Sequence, residues 1–158
     1  MTKETMHREA GDNQYLHRDF HGALSAGIQY LHVHYGATAV HEYLWQFGRA
    51  FYAPLTEDIR RRGLVALEDH FRRIYELEGG DVRFTRSEDE LRIDVTTCPA
   101  VTHMRTHDYA VAELFSATTA TVNRAICHNT PFEAELLDYD KQTGGGTQRF
   151  YRRRIENE

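Results

Sequence analysis

Positions 94–108, D-V-T-T-C-P-A-V-T-H-M-R-T-H-D, gather one of the two cysteines, two of the ten histidines, an arginine and two aspartates. A cysteine thiolate is a nucleophile, and a histidine within reach can take its proton and return it to a leaving group. Cys98, at the end of a strand pattern, is the candidate nucleophile. His103 is the candidate general base and acid, with His107 as its substitute. The planar fork of Arg105 suits a substrate carboxylate. Asp94 shares a strand face with Cys98 if the strand stays regular that far, and it would then polarise the thiol's surroundings. His21 completes this set from the first helix, and Tyr52 offers a hydroxyl beside an aromatic wall. The plainer reading of Cys98 is a small buried apolar residue at a strand end.

A metal reading uses some of the same side chains. His17 and His21 stand four residues apart, as do His103 and His107, so each pair shares a helix face. Zinc takes three or four N, S or carboxylate donors, and His17, His21, Cys98 and His103 are the candidate set. The pattern lacks the glutamate of the metalloprotease helix, since Arg18, Asp19 and Phe20 intervene. No cofactor is expected, with zinc or another divalent ion as the alternative. Cys127 falls at a helix C-terminus, where the helix dipole disfavours a thiolate, so it reads as packing.

The elements that must position these residues follow from periodicity. Phe20, Leu24, Ile28, Leu31 and Tyr35 form one helical stripe over 15–35, and Gly36 ends it. A second, aromatic helix over 39–53 carries Val40, Leu44, Phe47 and Phe51, with Pro54 as its stop. A third starts from Thr56 as N-cap and runs to Gly79. Strands follow around 82–84 and over 91–95, with Leu91, Ile93 and Val95 on one face and a turn at 87–89. Residues 100–107 read as a loop, Asp108 as the cap of a helix over 109–128, and 132–139 and 147–153 as a second hairpin. Glu133 and Glu135 then face Arg149 and Tyr151. The order ααα-ββ-α-ββ makes an α+β fold with helices on one face of a small antiparallel sheet. Residues 1–14 read as a flexible N-terminal segment and 15–155 as a single domain.

Composition narrows the function. The formal charge of −5 argues against a general nucleic-acid binder. No apolar run nears the roughly 20 residues that span a bilayer, so no membrane partner is expected. The polar first thirteen residues lack a signal peptide's apolar core, and two distant cysteines make no disulfide framework, so a cytoplasmic location is expected. The expected partner is a small-molecule substrate, and an edge strand with much aromatic surface suggests a homodimer.

The helical first half, Thr97-Cys98-Pro99-Ala100, and A-I-C-H-N-T-P-F-E-A-E-L over 125–136 resemble the L-2-amino-thiazoline-4-carboxylic acid hydrolase-like family across 15–153. The resemblance implies ring-opening hydrolysis of a small cyclic amidine or isothiourea, with Cys98 the position to suspect. The order of helices and hairpins is also similar to vinyl-reductase-type and vesicle-tethering ligand-binding domains, which hold an apolar ligand or a partner protein. Three functions follow as expectations. The first is a cysteine-centred hydrolase acting on a C–N or C–S bond of a small carboxylated heterocycle. The second is a non-catalytic module with an apolar pocket between the aromatic second helix and the sheet. The third is a His/Cys metal-binding protein.

Overall fold

A computed structural model describes residues 18–154. The sequence reading of 1–14, and His17 with it, lies outside the described residues. The first element, α1, is Phe20–Phe51. It is broken at Gly36, where φ 85° and ψ 174° are open only to glycine. The expected pair of helices is therefore present, joined end to end. The first half buries Ser25 and Ile28, and the second buries Val40, Leu44 and Gly48.

The expected third helix is two helices, α2 (Ala53–Arg62) and α3 (Leu64–Glu78), parted at Gly63 with φ 68°. Pro54 does not only end α1. It sits in the first turn of α2, where its missing N–H costs nothing. Thr56 is inside α2 rather than at its cap, and its hydroxyl donates to the Ile126 carbonyl at 2.8 Å.

Strands β1 (Asp81–Arg86) and β2 (Glu90–Thr97) form the first hairpin, and β3 (Phe132–Tyr139) and β4 (Gly146–Arg152) the second. The Ser87 hydroxyl accepts from the Glu90 N–H at 3.1 Å and closes the first turn. All pairings are antiparallel in the order β1-β2-β4-β3, so the hairpins join through their second strands. Leu91 faces Phe150 and Ile93 faces Gln148 on the covered side of that junction. Leu91, Ile93 and Phe150 have no exposed surface, and burying each contributes about 1.5–3 kcal/mol. On the other side Arg149 meets Glu90 at 2.8 Å and Glu135 at 3.4 Å. Such exposed pairs contribute about 0–1 kcal/mol each, so the apolar face decides the register. Glu133 and Glu135 face Arg149 and Tyr151 as expected, in the register Glu133 opposite Tyr151 and Glu135 opposite Arg149. The result is an α+β fold with helices over one face of an antiparallel sheet.

Two expectations between the hairpins change. Residues 100–107 are mostly helical: α4 is Pro99–Thr106, with Pro99 in its first turn and Cys98 at its N-cap. Pro99, directly after the strand pattern, here starts a helix. The helix expected over 109–128 is only α5, Ala117–Cys127. Asp108 has φ 57° and caps nothing. Residues 109–116 stay irregular because α1 supplies their hydrogen bonds. The Ser25 hydroxyl donates to Ala110 O and accepts from the Ala112 N–H, both at 2.8 Å. Gln29 Oε1 accepts from the Glu113 N–H at 3.0 Å.

α5 lies between α1 and β3, and α3 covers β1 and β2. No described helix is long and apolar enough to cross a membrane. The α1–α5 crossing is close at Gly48, where an added Cβ would stand 2.8 Å from Ala125 Cβ and 3.4 Å from Val122 Cα. Gly48→Val is expected to destabilise the fold by about 1–3 kcal/mol, read as a lower urea midpoint. Gly27→Ala, whose Cβ meets nothing within 4 Å, is expected to hold or raise that midpoint.

Candidate functional site

Both halves of α1, with α3 and α5, do not close completely over the sheet. They leave a cavity of about 340 Å³, within the range of small-molecule sites. Phe47, Phe51, Phe71, Ile74, Val122 and Ile126 make its apolar walls. Phe51 is 53% exposed and Phe20 37% exposed, so their side of the cavity meets solvent.

Polar groups collect at one corner, where the loop between β3 and β4 meets the start of α4. The Cys98 N–H donates to Thr143 O at 3.0 Å. Gly144, at φ 68°, packs so near that an added Cβ would stand 2.7 Å from Cys98 Cβ. Asn123 Nδ2 donates to Gln148 Oε1 at 2.8 Å. His21 Nε2 lies 3.2 Å from Glu78 Oε2, and their side chains are only 15% and 12% exposed. A carboxylate only accepts, so His21 donates here.

Desolvation governs the acids of this corner. Burial pushes the Cys98 thiol above its usual value, and the charge of Glu78 adds to the rise. The Ala100 and Val101 N–H groups at the start of α4 pull the other way and are outweighed. Cys98 is therefore a neutral thiol at pH 7. Burial raises the Tyr52 and Tyr75 phenols, again with Glu78 contributing, and pushes Tyr139 up to about 12. Cys127, deep against the sheet, is pushed up to about 12 by burial.

His70 lines the same cavity from α3. Its Nε2 is buried without a hydrogen-bond partner among the described residues, and its ring meets Tyr52 edge-on with centroids 5.6 Å apart. Burial, then the nearby Arg73 charge, brings its pKa down to about 4.

Of the residues singled out in the sequence, Cys98, His21 and Tyr52 line this cavity together. His103, His107, Arg105 and Asp94 do not. Because 99–106 is a helix, its inner face is Ala100, Val101 and Met104, and the polar residues turn away. His103 and His107 face a separate shallow cleft, with ring centroids 4.2 Å apart. His103 Nε2 meets Asp19 Oδ1 at 3.1 Å, and His107 Nδ1 donates to the His103 carbonyl at 2.8 Å. Arg105 spends Nε and Nη2 on the carbonyls of Gln142 and Lys141, at 2.7 and 2.8 Å, and so anchors the β3–β4 loop. Asp94 lies on the outer sheet face, accepting from the Thr147 hydroxyl at 3.0 Å and pairing with Arg92 at 3.3 Å. The strand ends at Thr97, so Asp94 and Cys98 do not share a face. No group of three or more His, Cys, Asp or Glu among the described residues is arranged to hold a metal ion.

Sequence reasoning missed Glu78, Tyr75, His70 and Gln148 as site residues. The spacing of His70, Ile74 and Glu78 was a usable signal, because i, i+4 and i+8 share one helix face. No protein-family model matches the chain, and no curated protein is significantly similar to it.

Two outcomes test these environments. At pH 7.5, Cys98 in the native protein is expected to react with iodoacetamide at least about tenfold more slowly than in urea, speeding up above pH 9, while Cys127 stays silent until unfolding. Peptide mapping of the alkylated sites checks this. His70 holds a folded pKa of about 4 against an ordinary 6.5. Between those values the unfolded chain takes up a proton that the folded chain refuses, so stability is full above pH 6.5 and falls as pH drops toward 4. Urea midpoints at pH 7 and 4.5 should differ less in His70→Gln than in the parent.

Proposed function

We propose that this domain binds a small, largely apolar molecule in the cavity between α1, α3 and α5. One observation carries the reading: an apolar, aromatic-walled space of about 340 Å³ with hydrogen-bonding groups gathered at one corner. Such a space gains from burying apolar ligand surface, and its few polar groups fix the ligand's orientation. The buried, unpartnered His70 Nε2 supports the same reading, since an occupant with a polar atom there would relieve it.

Cysteine-centred hydrolysis is a second reading, favoured by the position of Cys98 in the cavity wall at the N-cap of α4. It would need a base from within the cavity, and His21, paired to Glu78, is the residue placed to serve. The neutral thiol weighs toward binding.

The neutral dye N-phenyl-1-naphthylamine is expected to brighten on binding the native protein. Ile74→Trp, which fills the cavity, should weaken that binding at least about tenfold with circular dichroism unchanged. Cys98→Ser should leave it within about twofold. Undiminished binding to Ile74→Trp would place the dye elsewhere and sink the proposal.

A further inference from the structure

The formal charge in the cavity wall is one-sided, while Arg73 is felt at His70 and Arg105 at Tyr139 from outside it. None of the described residues lining the cavity is lysine or arginine, in a chain that has 19 of them. The lining residue with a formal charge is Glu78, held at the cavity end of α3 and largely withdrawn from water. Arg18 reaches the Glu78 backbone carbonyl at 3.4 Å from the neighbouring cleft. Arg105, the residue that the sequence offers for a substrate carboxylate, is committed to two loop carbonyls.

The electrostatic consequence is a negative charge at that corner with no described lysine or arginine in the wall to offset it. The Glu78 charge reaches three of the acids around it, Tyr52, Tyr75 and Cys98, and helps to keep each protonated. A ligand carboxylate there would be stripped of water and would meet that same repulsion. A ligand cation would meet attraction from two sources. A carboxylate has about four acceptor positions, of which His21 takes one. The faces of Phe47, Phe51, Phe71, Tyr52 and Tyr75 are the electron-rich surfaces on which an ammonium group is stabilised.

We infer that the occupant is an amphiphilic amine: an apolar or aromatic body among Phe47, Phe51 and Phe71, with its protonated nitrogen on the Glu78 carboxylate. The inference rests on the binding role proposed above and narrows it to one charge class. His21 is the internal donor that satisfies Glu78 in the empty cavity, and the ligand nitrogen joins or replaces it. A carboxylated heterocycle, the substrate class of the hydrolase expectation, would bring to this corner the charge that Glu78 repels.

Three probes of one shape separate the charge classes: 4-phenylbutylamine, 4-phenylbutan-1-ol and 4-phenylbutanoate, each displacing N-phenyl-1-naphthylamine at pH 7.5. The amine is ionised there, as an alkylammonium with a pKa of about 10.4 would be. The amine is expected to bind at least about tenfold more tightly than the alcohol, and the carboxylate more weakly than either. Glu78→Gln should erase the difference between amine and alcohol while the alcohol still binds. The parent protein alone yields the ranking, so the inference stays open to refutation if that variant folds poorly. An alcohol or carboxylate that binds as tightly as the amine overturns the amine class and leaves the cavity reading standing. Failure of all three to displace the dye overturns both.

Discussion

The junction at Cys98 is the constraint on which the rest of the site depends. There β2 ends, α4 begins, and the backbone is tied sideways to the β3–β4 loop through the Cys98 N–H and the Thr143 carbonyl. Gly144 permits the approach because it has no Cβ and tolerates φ 68°. Arg105 then clasps the same loop from the far side of α4. A strand end, a helix start and a hairpin loop are thus locked into one corner. That corner holds the thiol, the Tyr139 ring and the approach to Gln148 at fixed positions on the cavity wall.

Desolvation at that corner decides what chemistry it favours. The N-terminus of α4 would lower the thiol pKa if it acted alone, and burial overrides it. The same exclusion of water raises the tyrosines and drives His70 neutral. A wall of protonated acids and neutral imidazole, carrying one carboxylate, is better suited to holding an amphiphile than to generating a thiolate. The catalytic and binding readings therefore differ chiefly in whether the His21–Glu78 pair acts on the thiol or on a ligand.

Much of the architecture was legible in the sequence because it is set by local sterics and period. Gly36 breaks α1 where a glycine after an apolar stripe indicates. The alternation of Leu91, Ile93 and Val95 fixes which side of β2 is buried, and period two also pairs Glu133 and Glu135 with Tyr151 and Arg149. The segment 99–116 was not legible, for two reasons. Pro99 suits a strand end and a helix start equally well. Residues 109–116 look helical, but Ser25 and Gln29, more than 80 residues away, take their hydrogen bonds. Those partners are tertiary and leave no local trace. The site divided in the same way. Cys98, His21 and Tyr52 stood out by residue type, whereas Glu78 reads locally as an ordinary charge in a last helical turn. His103 and Arg105 fell away once their segment proved helical.

The most direct measurement of the central claim is a methyl NMR titration of the full chain with 4-phenylbutan-1-ol, which asks where a ligand sits. If the cavity is the binding site, the methyl signals of Leu24, Leu44, Ile74, Val122 and Ile126 will move together and saturate at one affinity. Those of the exposed Val33 and Leu137 will stay still. Saturable shifts confined to Val33 or Leu137, with the cavity methyls unmoved, would contradict the account.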